Sequence, residues 1–204
     1  AVYVLVDCVN QASCLSGTPP IEDTSGLQGA TVRNTGGAAQ DYVVVVDHLT
    51  SGGSYVVDLD VRPSLPVAAA DTCAVAQSMT PLTTGAHALH GDLTGSTDTL
   101  DPGFFGCTGF SAPEGEGLLA VELQPGETLE AIYVQTDGDG SLYLLSDCTD
   151  VDTCVAGNDA YQPTLTGLQD RVSYTHAGSS SAVYYLVLDG FEPTGAFEVR
   201  LDIR

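Results

Sequence analysis

The sequence predicts an all-β protein of antiparallel sandwich architecture. Three observations carry this. Several stretches alternate apolar and polar side chains, the period of a half-buried strand. Others are short continuous apolar runs, the pattern of strands covered on both faces. The composition also favours strands and turns over helices, with 23 Gly, one Met, no Lys, no Trp and many Val, Thr, Ser and Tyr.

Taken in order, the chain opens on an apolar run (AVYVLVD) that ends at Asp7-Cys8, with a second cysteine at Cys14 and a glycine at Gly17. Tyr42–Val46 is a continuous apolar run, and Tyr55–Val61 (YVVDLDV) alternates. Pro63–Ala70 (PSLPVAAA) reads as a short, semi-extended connector. Leu118–Gln124 and Thr128–Val134 flank Pro125-Gly126-Glu127; proline then glycine suits a type II turn, so a hairpin is expected there. Ser141–Leu145 leads into Asp147-Cys148, Cys154 and Gly157, Val183–Leu188 is again continuously apolar, and Phe197–Ile203 (FEVRLDI) alternates.

Two parts of this list are one pattern. Cys8 and Cys14 match Cys148 and Cys154 at a constant offset. With the offset grown by two residues, Tyr42, Asp47, Tyr55, Leu59 and Arg62 match Tyr184, Asp189, Phe197, Leu201 and Arg204. Gly-Leu-Gln occurs at 26–28 and at 167–169. Residues 1–62 are therefore the C-terminal half of a module, 63–70 the Pro/Ala linker, and 71–204 a complete module. A half-copy leaves an apolar strand, Tyr42, Val43, Val44, Val45 and Val46, with an open edge and an uncovered face. Either the missing half was cut away, or the half-copy packs on the whole module, or a neighbouring chain supplies strands and makes Tyr42–Val46 an assembly surface.

Composition and charge bound the function. At 204 residues and 43% hydrophobic content the chain can bury a sizeable core. Its 27 acidic residues against five arginines give a net charge of −22, which repels phosphate backbones and excludes nucleic acid as a partner. No apolar stretch approaches the roughly 18 residues of a membrane span. Nor is there a basic segment leading into an apolar core, so the expectation is a mature chain whose leader has gone.

The six cysteines point to disulfides, because zinc sites use closer C-x2–4-C pairs. The spacing suggests Cys8–Cys14 and Cys148–Cys154 as loop-closing bridges, leaving Cys73 and Cys107 for each other. Three bridges imply an oxidising compartment, hence a secreted or cell-surface protein.

In order along the chain, ADTCAVA (70–76), GCTGFSAPEGEG (106–117), VELQPGETLEAIY (121–133), SLYLLSDC (141–148) and YYLVLDGFEPTGAFEVRLDI (184–203) resemble bacterial pre-peptidase C-terminal (PPC) domains of the disulfide-bearing variety found in tandem on large secreted proteins. The resemblance spans 70–204, with its later half repeated in 1–62. It implies a jelly-roll-like β-sandwich, usually non-catalytic, attached to proteases or surface proteins. Some relatives bind calcium or extracellular polymers.

Residues that could do chemistry are sparse. Gly109-Phe-Ser-Ala-Pro113 lacks the second glycine of a nucleophile elbow. His48, His87, His90 and His176 are scattered, and H-x-x-H on a strand places His87 and His90 on opposite faces. Thr136–Ser141 begins like an EF-hand loop but has Leu142 where the glycine belongs and Cys148 where the bidentate glutamate belongs, so an acidic hairpin turn is expected. The resemblance makes Asp71, with Asp98 and Asp101 in the adjacent acidic loop, the first candidates for Ca2+, although Ala-Asp-Thr-Cys replaces the usual acidic-Pro-Asn opening. Asp7, Asp147, Asp47 and Asp189 recur in both copies at strand ends and read as turn caps.

These readings lead to a non-enzymatic structural or adhesive repeat of an extracellular assembly, self-associating or joined to neighbouring modules. The alternative is an accessory module of a larger secreted hydrolase that binds a polymer, for which Phe104, Phe105 and Phe110 in a Gly-rich loop would supply aromatic surface.

Overall fold

The computed structural model describes residues 2–10, 13–18, 30, 32–34, 36, 38–47, 56–57, 59, 61–136, 138–160, 169–191 and 194–204. His48, Tyr55 and the Gly-Leu-Gln at 26–28 lie outside them. The chain divides into two compact units, Ala1–Pro63 and Ser64–Arg204.

The second unit is an antiparallel β-sandwich with one short parallel edge. Its elements, numbered after three strands of the first unit, are β4 (Leu65–Pro66), α1 (Cys73–Ser78), β5 (Gly85–Asp92), β6 (Gly117–Leu123), β7 (Thr128–Gln135), β8 (Gly140–Leu145), β9 (Cys154–Asn158), β10 (Gln169–Thr175), β11 (Ala182–Gly190) and β12 (Ala196–Ile203). One sheet has the order β10-β7-β12-β5-β4 and the other β6-β11-β8-β9. Phe197, Val199, Leu201 and Ile203, the apolar positions of the alternating β12, are buried between the sheets against Leu142, Leu144, Leu186 and Leu188.

The continuous apolar runs have a separate cause. Alternate residues of the four-stranded sheet face outward into a second buried cluster, where Leu118, Tyr143, Leu145 and Val187 pack with Ala76 of α1, Leu100 and Cys148. That sheet is thus covered on both faces, which is what an unbroken apolar strand requires. The helix that provides part of the cover was not legible as a helix. It is one short segment, capped where Thr72 Oγ1 accepts the Val75 N–H at 3.4 Å.

Three local expectations are corrected. The turn after β6 forms as read, with Glu127 N–H donating to Gln124 O at 3.0 Å and Gly126 at φ +84°. Its flanking strands nevertheless do not pair: β6 pairs with β11, and β7 with β10 and β12. Likewise β7, ending at Gln135, lies in one sheet and β8, starting at Gly140, in the other, so neither connection is a hairpin. Tight turns here carry the chain across layers. Residues 64–70 also prove to be part of the sandwich: Leu65 and Pro66 pair in parallel with Leu89 and His90, and Ala70 bridges Leu118.

The disulfides differ from the expected pairing. Cys73 is bonded to Cys148 and Cys107 to Cys154, with Cα–Cα distances of 5.3 and 6.0 Å. Neither Cys148–Cys154 nor Cys73–Cys107 forms, and the exposed Cys8 and Cys14 are not joined to each other. The fold brings Cys73 of α1 to Cys148 and Cys107 of the 101–111 loop to Cys154, and hydrogen bonds close the loop between Cys148 and Cys154. Asp147 N–H donates to Thr153 Oγ1 at 3.0 Å, Thr153 Oγ1 donates to Asp147 O at 2.9 Å, and Asp147 Oδ1 accepts the Thr149 N–H at 2.9 Å. The sulfurs instead tie the outer layer, α1 and the 101–111 loop, onto the sheet.

Close approach of that loop explains one glycine. A Cβ on Gly157 would lie 2.6 Å from Cys107 Sγ and 2.8 Å from Cys107 O. Gly157→Ala is expected to lose about 1–3 kcal/mol by calorimetry, as overpacking does. Gly195→Ala, with nothing within 4 Å, is the control and should stay within about 0.5 kcal/mol.

The first unit contains β1 (Val2–Leu5), β2 (Cys14–Thr18) and β3 (Val43–Val46) in the order β2-β1-β3. It reproduces β9-β8-β11. Tyr3 faces Gly17 as Tyr143 faces Gly157, and Val2 faces Val46 as Leu142 faces Leu188. The register shift between Val4 and Leu5 recurs between Leu144 and Leu145. Even the loop is copied: Asp7 N–H donates to Ser13 Oγ at 3.0 Å, and Ser13 Oγ donates to Asp7 O at 3.0 Å. Asp7 and Asp147 are therefore turn caps, and Ser13 and Thr153 are partners that the sequence reading missed.

Candidate functional site: the acidic end of the sandwich

The residues first considered for calcium are engaged otherwise. Asp71 Oδ1 accepts the Thr97 N–H at 2.7 Å and Thr97 Oγ1 at 2.9 Å. Asp101 Oδ1 accepts the N–H groups of Gly103 (2.8 Å) and Ala112 (3.1 Å), and Oδ2 accepts Ser111 Oγ at 2.8 Å. Burial pushes the Asp101 carboxyl up, but the bonds from Gly103, Ser111 and Ala112 outweigh it and hold it below the usual range. Asp71 and Asp101 act as loop clasps. Among the described residues, the one group of three potential ligand atoms close enough to share an ion is Cys73, Asp147 and Cys148, and its sulfurs form a disulfide. Asp71, Asp98 and Asp101 do not bring their carboxyl oxygens together into such a group.

The carboxylates that stand out are others, gathered where β8 starts and β11 ends. Asp189 is buried; its Oδ1 accepts the Gly190 N–H at 2.8 Å and its Oδ2 lies 2.8 Å from Tyr143 Oη. Burial, reinforced by the charges of Glu116 and Asp98, pushes its carboxyl up to about 9 despite the bonds from Tyr143 and Gly190. Tyr143 Oη also lies 2.8 Å from Leu100 O. A phenol has one proton and cannot donate to both. With Asp189 protonated, its O–H donates to Tyr143 Oη, which donates to Leu100 O, and every group is satisfied. Burial and the Asp189 charge hold the Tyr143 phenol far above its ordinary range.

Beside it, Glu116 is buried and accepts the Thr99 N–H at 3.1 and 3.0 Å as well as the Thr99 hydroxyl. Burial raises it, against the Thr99 bonds and with the charge of Asp98. Of the three candidates, Asp98 thus acts through its charge on Glu116 and Asp189, and Asp101 on Tyr143.

Asp170 is buried on β10, with Oδ1 accepting the Ala160 N–H at 2.7 Å and Oδ2 without a partner. Burial pushes it well above the carboxylate range, and the charges of Asp159 and Asp139 add to this. Asp159 is pushed up to about 7 by burial and by Asp139. Gly140 leaves room here, since a Cβ would sit 2.6 Å from Tyr133 Cε1 and 3.0 Å from Asp170 Oδ2. The arrangement holds protons: neutral carboxyls buried side by side become charges in a low-dielectric site as pH rises. With 27 acidic residues in the chain, no sequence pattern distinguished Glu116, Asp159 or Asp170, and Asp189 stood out only as a recurring strand-end residue.

The described histidines serve as anchors. His176 spans Tyr184 Oη and Ser180 O, each at 2.7 Å, while His87 bonds Thr83 O at 2.8 Å and His90 bonds Ser64 Oγ at 2.9 Å. Phe104, Phe105 and Phe110 are exposed on the 101–111 loop, which Asp101 and the Cys107–Cys154 bridge pin in place.

Fold and bridges together define the class, an acidic, disulfide-stapled antiparallel β-sandwich with three strands of its four-stranded sheet repeated in the first unit. Compared with family models and with curated proteins, the chain matches none. Among the described residues no helix is long and apolar enough to cross a membrane, and the two disulfides are compatible with an oxidising location.

Proposed function

We propose that the chain is a run of PPC-like modules acting as a structural or adhesive element of a secreted or cell-surface assembly. The observation that carries this reading is the repetition itself: β2-β1-β3 copies β9-β8-β11 in register, bulge and loop hydrogen bonds. Stacking one unit many times is how extended extracellular scaffolds gain length. The net charge of −22 supports it, since such a surface stays soluble and is screened in a salty medium. The test is the particle mass and shape of the non-reduced chain by light scattering and negative-stain imaging, with and without EDTA. Regular oligomers or filaments are expected without EDTA, and their persistence in EDTA would remove calcium from the linkage. A monodisperse monomer would sink the assembly reading, and loss of oligomers in EDTA would assign the linkage to calcium.

The exposure of Phe104 and Phe105 favours a second reading, polymer binding by an accessory module. Under it, Phe104→Ala/Phe105→Ala lowers co-sedimentation with insoluble polysaccharide at least tenfold while Tm is unchanged. Equal co-sedimentation would remove that reading.

A further inference from the structure

We propose that the first unit is completed by a segment of the same kind as residues 64–140, lying upstream in the same polypeptide, and that Cys8 and Cys14 are each disulfide-bonded to a cysteine of that segment. Four observations converge on it.

The first is equivalence. Cys8 and Cys14 hold the positions of Cys148 and Cys154, and Cys14 faces Leu5 as Cys154 faces Leu145. In the second unit neither of these cysteines bonds to the other; both reach back to the preceding half, to Cys73 and Cys107. The second is space. Gly157, which admits Cys107 against the strand, recurs as Gly17 at the same register position.

The third is burial. Val57, Leu59 and Val61 are 42, 67 and 96% exposed, whereas the matching Val199, Leu201 and Ile203 are 2, 0 and 0% exposed. Those three belong to β12, which lies between β7 and β5. Strands equivalent to β5 and β7 are what a preceding half supplies. The fourth is the pairing of β3: among the described residues it pairs with β1 alone, where its counterpart β11 pairs with β6 as well as β8.

A second copy of this chain cannot fill the role. Its Cys73 and Cys107 are already bonded to its own Cys148 and Cys154. Each copy also holds one N-terminal half for two C-terminal halves, so lending it would uncover the donor's own core. In the second unit the preceding half ends in β7, the strand immediately before β8 in the chain, which places the completing segment before β1. Each bridge forms by thiol–disulfide exchange. One S–S bond forms between the two cysteines, and a protein disulfide donor accepts the two electrons and two protons and leaves as a dithiol.

The test is a disulfide map of the native polypeptide, isolated unreduced with iodoacetamide present, digested with pepsin and sequenced by electron-transfer fragmentation. Neither Cys8 nor Cys14 should carry the alkyl label, and each should be cross-linked to a peptide from upstream of residue 1. Alkylated Cys8 and Cys14, a Cys8–Cys14 link, or partner peptides from within residues 1–204 or from another polypeptide would overturn the proposal. Hydrogen exchange gives a second readout: amides of residues 56–62 should be protected in the native polypeptide and exchange at least a hundredfold faster in the isolated 204-residue chain. The bridge map and the particle mass are separate measurements, so failure of the assembly reading leaves this one standing or falling by itself.

Discussion

Asp189→Asn is expected to stabilise the second unit by about 2–4 kcal/mol at pH 7, and to make its stability less dependent on pH between about 4 and 9. The cause is the chain from Asp189 through Tyr143 to Leu100 O. In the folded state burial keeps the Asp189 carboxyl protonated up to about 9. In the unfolded chain the same group ionises near 4, so between those values the folded protein binds the extra proton. Its contribution to stability is therefore fully present below about pH 4 and is lost progressively as pH rises to about 9. Asp159, pushed up to about 7, and Asp170, raised by burial, act in the same direction. The introduced asparagine would mimic the protonated acid, its Oδ1 accepting the Gly190 N–H and its Nδ2 donating to Tyr143 Oη, with no proton to lose. Thermal melts from pH 4 to 9 measure this: the gain should be near zero at pH 4 and grow with pH. Asp189→Ala is the control, expected to destabilise at every pH because Tyr143 and the Gly190 N–H lose a buried partner. A gain for Asp189→Asn that does not change with pH would show that Asp189 ionises normally in the fold.

How much of this was legible follows from what each signal encodes. The alternation in Phe197–Ile203 and the apolar run Val183–Leu188 gave β12 and β11, because burial is written directly in the side chains. The matched cysteines, Tyr42 and Asp47 gave the half-copy, whose register the structure repeats. The turn at Pro125-Gly126 was also legible, but turn chemistry fixes how the backbone reverses and says nothing of whether the flanking strands share a sheet. That is why the expected hairpin became a layer crossing. The cysteine pairing failed for a similar reason. Nearness in sequence suggested Cys148–Cys154, whereas Asp147 and Thr153 already close that loop and the sulfurs point outward to α1 and the 101–111 loop. Asp71 and Asp101 were found as special residues by resemblance, and their carboxyls clasp loops. Asp189 was read as a cap because it recurs at a strand end. Its counterpart Asp47 is exposed, so the repeat alone could not reveal that the second copy is buried and proton-bearing.

Removing either bridge of the second unit is expected to produce the largest loss of stability. Cys73–Cys148 closes a separation of 75 residues and Cys107–Cys154 one of 47. Chain entropy alone then assigns each about 4 kcal/mol, because the cross-link restricts the unfolded ensemble more as the loop lengthens. For Cys73→Ser/Cys148→Ser a fall in Tm on the order of 10–15 °C follows. Packing adds to this, since Cys148 sits in the buried cluster with Ala76, Tyr143, Leu145 and Val187. Losing the bridge loosens α1 and wets the outer face of the four-stranded sheet. The double variant should therefore bind a hydrophobic dye well below its melting temperature. Cys107→Ser/Cys154→Ser should show a similar fall in Tm with less dye binding, because it releases the exposed loop bearing Phe104 and Phe105 while leaving α1 bridged. The same arithmetic extends to the first unit: if Cys8 and Cys14 reach an upstream half, their loss destabilises the native polypeptide and leaves the isolated 204-residue chain unchanged. A melt of the two second-unit variants that matched the wild type, or a Cys148–Cys154 cross-link in its peptide map, would return the bridges to closing their own small loop. The outer layer would then have to be held by packing alone.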